Sequence, residues 1–369
     1  MNLSKYINNL LLWLIISICF CFFYGCVKDP SQSIIPNNIS EKVHGIYVLC
    51  EGTMGYNNST LSKLDLDTLL IYNDYFFLQN RGIKLGDIAN DIEIIGDTAI
   101  VAVSGSKTIL SFNVKTGKII KYLNLTGNRY PRKICITSDS TAYFTDLYAN
   151  CICKINIKDL TIIHDNITVG PAPEGITFCN GFLFVANSGY GDYFANKPKA
   201  GTISVIDEKM NMEIANLPCG PDVIQVISDK KKNLIYAAYS NLPSKPDSLG
   251  GLVIYDAVSF KEIKRWRCKI WQLTEIAKLG DSILFLNEEG LGAIDTKNNS
   301  STPQIIIKNN KPKELWYTVS VNPNNNDVWI GNAKDFQSNG ELIQFKYGLY
   351  SSATANYKVG VNPGAIIFY

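Results

Sequence analysis

From residue 44 onward the apolar residues fall in short runs of alternating or fully apolar character, each bounded by Gly, Asn, Asp or Pro. Such runs read as β-strands joined by tight turns, and no long stretch keeps a helical period. Stacking the runs exposes a repeat. "PRKICITSDSTAYFTDLYANCICKINIKDLTIIHDNITVG" holds four strands. "PEGITFCNGFLFVANSGYG…GTISVIDEKMNMEIANLPCG" and "PDVIQVISDKKKNLIYAAYSN…GGLVIYDAVSFKEIKRWRCK" hold the same four, as does "ANDIEIIGDTAIVAVSGSKTILSFNVKTGKIIKYLNLTG". Poorer copies start near Leu273 and Trp316. Each unit runs a strand, a turn, an apolar strand, a polar loop, a strand ending in Asp or Asn, a turn and a last strand. A spacing of about 40–50 residues is that of four-stranded propeller blades.

The two ends of the pattern complete each other. The first unit, "HGIYVLCEGTMGYNNSTLSKLDLDTLLIYNDYFFLQN", has three strands and no inner one. The chain stops on "NPGAIIFY", an inner strand with nothing after it. The expectation is an all-β, seven-bladed β-propeller over 44–369, closed by pairing the C-terminal strand with the N-terminal blade. Closure removes exposed sheet edges. A flat β-solenoid has the same periodicity but no need of a lone terminal strand.

Before the repeat, "MNLSKYINNLLLWLIISICFCFFYGCVKDPSQS" has a polar start with one Lys, an apolar run of about 15 residues and then Gly25-Cys26. The run has the length of a signal-peptide core and is short for a membrane span. Gly-Cys resembles the lipobox of bacterial lipoproteins, with Phe23 and Tyr24 departing from its usual residues; an uncleaved anchor helix is the other reading. The resemblance implies a signal peptide over 1–25, lipidation of Cys26 and a Pro-containing tether over 26–43. Lys28-Asp29 after the Cys resembles an export signal to the outer face of the outer membrane. The implied location is the outer membrane, lipid-anchored and exposed at the cell surface.

Composition narrows the function classes. Apolar residues are 46% of 369, charged residues 18% and the net charge is +2. That suits a globular chain and gives no basic stripe for nucleic acid. "DKKKN" over 229–233 reads as a solvated turn. The two histidines, His44 and His164, stand apart from other metal ligands, which argues against Ser-His-Asp catalysis and His-bound metals. Cleavage at Cys26 would leave seven unlipidated cysteines, an odd number that describes no full disulfide framework. Cys151 and Cys153 in "NCICKINI" share a strand face, a zinc half-site without a second half; core packing accounts for them.

"ISVIDEKMNMEIANLPCGPDVIQV" resembles the YVTN/YncE-like β-propellers over essentially all of 44–369. "CEGTMGYNNSTLSKLDL" and "VANSGYG" resemble a subset of lipid-anchored propellers of Gram-negative gut-type bacteria. That subset includes surface proteins that capture cobalamin and pass it to a TonB-dependent outer-membrane transporter. The resemblance therefore implies a corrinoid or other small molecule as ligand, that transporter as partner, no cofactor and no enzymatic activity.

The repeat itself picks out candidate site residues. Asn90, Arg132, Glu174, Asp222, Thr274, Tyr317 and Gly364 top the inner strands, one per blade. They read either as a polar ring around a ligand funnel or as solvation of the channel mouth. The second-to-third-strand loops face the same way and are rich in Asn, Tyr, Ser and Gly, as binding loops are. Tyr148, Tyr190, Tyr193, Phe194, Tyr239, Trp271 and Trp316 lie in or beside them; the plainer reading is that such loops only make turns. A Ca²⁺-dependent, lactonase-like hydrolase using Glu174, Asn90 and Asp222 is a second function class, though Arg132 opposes a metal there. A protein-interaction scaffold is a third. Turns such as "DTAI" and "DSIL" read as hairpins or as O-glycosylation sites.

Overall fold

Seven four-stranded antiparallel sheets stand around a common axis. The computed structural model describes residues 42–270, 275–298 and 300–369. The expected signal peptide, Cys26 and most of the tether lie outside the described residues. So do Trp271 and Thr274. The innermost strands are β4 (Ala89–Ile95), β8 (Pro131–Ser138), β12 (Pro173–Cys179), β16 (Val223–Asp229), β20 (Ala277–Leu279), β24 (Leu315–Val321) and β28 (Pro363–Phe368). The short β20 belongs to one of the units whose sequence pattern is weak.

The first blade is composite. Its strand order is β28, β1 (Gly45–Cys50), β2 (Thr60–Asp65) and β3 (Ile71–Tyr72). β1 and β28 run antiparallel with Ile46 opposite Phe368, Val48 opposite Ile366 and Leu49 opposite Ala365. Backbone bonds continue the ladder beyond the strands: His44 N–H donates to Tyr369 O at 2.8 Å and Glu51 N–H to Asn362 O at 2.8 Å. Tyr369 stacks on Tyr47 with ring centroids 4.6 Å apart.

Turn chemistry repeats with the blades. The Asp or Asn ending the third strand accepts backbone N–H groups two or three residues on. Asp65 holds Thr68 at 2.8 Å, Asn156 holds Lys158 at 2.8 Å and Asp207 holds Met210 at 2.9 Å. Asn113, Asp256 and Asp295 do the same. These Asx turns are why the sequence shows a strand ending in Asp or Asn in each of those units. Between blades the apolar second and third strands pack face to face, with Ile100, Phe112, Phe144, Val185 and Ile203 fully buried.

One segment departs from the strand pattern. "YNDYFFLQN" closes the first unit as a two-residue β3 and a one-turn helix, α1 (Tyr75–Gln79). Tyr75 and Phe76 are adjacent and both buried in the helical turn. Asp74, at φ 50°, breaks the strand before them. Phe76 meets Phe112 of the second blade edge-on at 6.1 Å. Asn80 fastens the turn to that blade. Its Nδ2 donates to Gly117 O at 2.8 Å, and its Oδ1 accepts Ile119 N–H at 2.9 Å.

Deleting residues 363–369 leaves β1 as an open inner edge and strands the cluster around Tyr47 and Leu49. The expected result is loss of a single cooperative melting transition by circular dichroism. A truncated chain that melts as one unit near the wild-type midpoint would contradict the closure.

Candidate functional site

The polar ring forms because one register repeats. Asn90, Arg132, Glu174 and Gly364 are each the second residue of their inner strand, Tyr317 is the third and Asp222 directly precedes β16. Asn90, Arg132, Glu174, Tyr317 and Gly364 line the channel at one level, but Asp222 does not: in its blade Ile224 takes the ring position, and Asp222, two residues earlier, faces the loops. Arg132 Nε donates to Glu174 Oε2 at 2.6 Å. The remaining member is Glu51, which comes from the end of β1 and which stacking of inner strands does not reveal. Its Oε1 accepts Asn90 Nδ2 at 3.0 Å and its Oε2 accepts Tyr317 O–H at 3.1 Å. Gly364 makes room for it: a Cβ there would meet Glu51 Cγ at 2.8 Å. Glu51 thus supplies the side chain that the first blade's own inner strand lacks. The one ring position without a side chain was the available signal.

A second polar layer lies directly beneath. Lys133 Nζ bonds Glu275 Oε1 at 2.5 Å and Asp91 Oδ1 at 3.4 Å. Thr318 O–H donates to Glu275 Oε2 at 3.0 Å, and Ile134 N–H to Asp91 Oδ2 at 2.7 Å. These pairs plug the channel. Between the layers is a cavity of about 30 Å³, lined by Glu51, Asn90, Arg132, Glu174, Glu275 and Tyr317. Below, a bowl of about 280 Å³ opens to the other face between Ile92, Ile134, Ile176 and Ile227. No organic ring fits between the two layers.

Carboxyls outnumber cations here. Glu51, Asp91, Glu93, Glu174 and Glu275 face Arg132 and Lys133. Burial raises the Glu51 carboxyl above its ordinary range, with Arg132 and the Asn90 bond pulling back. Burial likewise raises Asp91 against Lys133. Burial, then the Asp91 charge, pushes Glu93 to about 8. Burial works against the charge of Arg132, but Glu174 and Glu51 outweigh it and hold the guanidinium above its ordinary value.

The loop face lies above the ring. Asp222 is a latch: its carboxylate accepts Gly191 N–H at 2.9 Å and Ser240 O–H at 2.8 Å. Asp192 ties the same two loops by accepting Ser244 N–H at 2.7 Å. They enclose a cleft of about 410 Å³ lined by Ser188, Ala195, Ala200, Pro221, Asp222 and Leu242. Beside it runs an aromatic row. Tyr130 meets Tyr148 at 4.8 Å, Tyr148 meets Tyr190 at 6.3 Å, Tyr190 meets Tyr193 at 6.5 Å and Tyr193 meets Phe194 at 4.7 Å. All four contacts are edge-to-face, and Tyr193 is 76% exposed.

Other candidates sit elsewhere. Tyr239 is buried, its ring filling the space beside Gly220 and Gly251, with Arg265 over its face at 5.5 Å. Small residues on both sides turn it inward. Trp316 packs in the core with Phe345. Cys151 and Cys153 are buried with their sulfurs 4.0 Å apart, near Asp146. The Arg129 guanidinium already serves that cluster, bonding Asp146, Cys153 Sγ at 2.5 Å and Asp165 at 2.7 Å. A metal ion would have to displace it.

No family model matches the chain, and no curated protein matches it. Solved structures do. A quinonprotein alcohol dehydrogenase-like protein from Bacteroides thetaiotaomicron aligns with TM-score 0.68 and 13% identity, over 88% of this chain and 78% of that one. Hydrazine synthase from Kuenenia stuttgartiensis aligns with TM-score 0.62 and 13% identity, over 75% of this chain and 88% of that one. At that identity the likeness speaks for the propeller fold alone.

Two outcomes follow from the channel. Replacing Arg132 by Met leaves Glu174 buried and unpaired, at an expected cost of about 3–5 kcal/mol in urea unfolding. A loss within error of zero would contradict the pairing. The folded Glu93 carboxyl binds its proton more tightly than the unfolded one, so wild-type stability falls as pH rises from about 4.5 to about 8. Glu93→Gln is expected to be more stable than wild type above pH 8, with the gain fading toward pH 4.5. Parallel pH profiles would contradict it.

Proposed function

We propose that this chain is a surface-anchored binding protein whose loop face takes a corrinoid and passes it to a TonB-dependent transporter. The observation that carries the reading is the exposed tyrosine row beside a latched cleft. Tyrosine offers wide, rigid contact area with little entropy to lose, and edge-to-face neighbours hold each ring in place. The cleft is too small for a whole corrin ring. In this reading the ring lies over the row and a peripheral group enters the cleft.

Topology supports the orientation such a protein needs. β1 starts at the channel end opposite the ring and runs up to Glu51. The chain therefore joins the propeller on the face away from the tyrosines. With a lipid at Cys26, that arrangement would turn the loop face away from the membrane. The resemblance of the repeat to lipid-anchored cobalamin-capturing propellers names the ligand class; the Lys133, Asp91 and Glu275 layer plugs the channel, which leaves the loops and the channel mouth as the available surface.

The test is calorimetric titration of the detergent-solubilised full chain with cyanocobalamin. One-to-one binding is expected, with Tyr190→Ala weakening it about tenfold. Absence of binding to the wild-type chain would sink the corrinoid assignment and favour an interaction scaffold.

A further inference from the structure

The channel mouth carries two acceptors that nothing nearby satisfies. Asn90 is 1% exposed and Glu174 3% exposed. Asn90 Oδ1 and Glu174 Oε1 are buried and have no hydrogen-bond partner among the described residues. The assignment of each atom follows from its neighbour. Asn90 turns its Nδ2 to Glu51, and Arg132 takes only Oε2 of Glu174. Both residues line the cavity of about 30 Å³ at the centre of the ring. That volume admits one small polar group and nothing larger. Buried acceptors without donors are costly, and protein interiors rarely keep them.

We infer that the ligand of the loop face carries an N–H donor group, a primary amide or an ammonium, which enters the channel mouth and bonds Asn90 and Glu174. This rests on the binding reading above and adds the chemistry that selects the ligand. Asn90 Oδ1 and Glu174 Oε1 are acceptors, so an ester or an ether brings no donor to them. Specificity then comes from the channel, while the tyrosines supply contact area. A site built around buried hydrogen-bonding groups rejects analogues lacking the matching group far better than an apolar surface does.

Two arms test this on the full chain. The first compares the heptaamide of dicyanocobyrinic acid with its heptamethyl ester, which keeps the ring and removes every N–H. The amide is expected to bind at least about tenfold tighter. Equal affinities, or a tighter ester, overturn the inference and leave corrinoid binding standing. The second arm needs no corrinoid. It compares the melting midpoint in methylammonium chloride with that in tetramethylammonium chloride, which has no N–H. Stabilisation by methylammonium alone identifies a cationic donor and supports the site even if no corrinoid binds. Equal effects of the two salts, together with no amide preference, overturn it. Asn90→Val and Glu174→Gln are each expected to erase whichever preference is seen; either folded variant suffices. A preference that survives in them places the donor elsewhere and overturns the assignment.

Discussion

The pairing of β28 with β1 is the constraint on which the rest depends. Six of the blades are continuous stretches of chain, and each has a face that is buried only by its neighbours. An open array would leave two blade faces, one at each end, and an inner edge in water. The ladder from Ile46 to Cys50 against Pro363 to Phe368, with Tyr369 stacked on Tyr47, joins the ends with ordinary β-sheet chemistry. It also sets the register of the axis. Because β28 begins at Pro363, Gly364 falls level with Asn90, Arg132 and Glu174 of the continuous blades.

That register explains the channel. Inner strands present their second residue at the same height, so polar side chains from several blades meet where water is scarce. Their charges must be settled among themselves. Arg132 settles Glu174, Lys133 settles Glu275 and Asp91, and Glu51 takes donors from the second and seventh blades. Glu51 and Gly364 are one device: the composite blade brings its carboxylate from β1, and the glycine leaves the space for it. Breaking one partner of such a buried pair leaves an uncompensated charge, so the partners are held to one arrangement. Here they align six described blades about one axis and close it to anything larger than a single small group.

The sequence made the repeat legible because the physics of each blade is local. Asx turns need Asp or Asn at a fixed offset, and buried second strands need unbroken apolar runs, so both appear directly as text. The ring positions Asn90, Arg132 and Glu174 were legible for the same reason, since they share a register with respect to their own strand. What escaped was set by contacts across the chain. Glu51 belongs to a different strand of its blade. Lys133 and Glu275 meet only because the third and sixth blades face each other across the axis. Tyr239 sits at a loop boundary like Tyr148, yet turns inward because Gly220 and Gly251 leave room for its ring. In α1, the adjacent burial of Tyr75 and Phe76 follows from Phe112 on the next blade, and nothing within the segment announces it.

The division of labour between channel and loops follows from these energetics. A group in the channel is bound to partners on several blades, so altering it disturbs the ring as a whole. A loop residue such as Tyr193 touches few neighbours and is free to vary without cost to the fold. Asp222 and Asp192 occupy the boundary. Their carboxylates fasten two loops to each other while belonging to no strand ladder, which makes the cleft walls rigid without tying them into the axis. A surface built in this way tolerates changes of tyrosines and loop lengths without disturbing the axis. The part that cannot change easily is the mouth of the channel, where Asn90 and Glu174 must satisfy blade geometry first. The chemistry of that mouth is therefore held by the same interactions that hold the ring together.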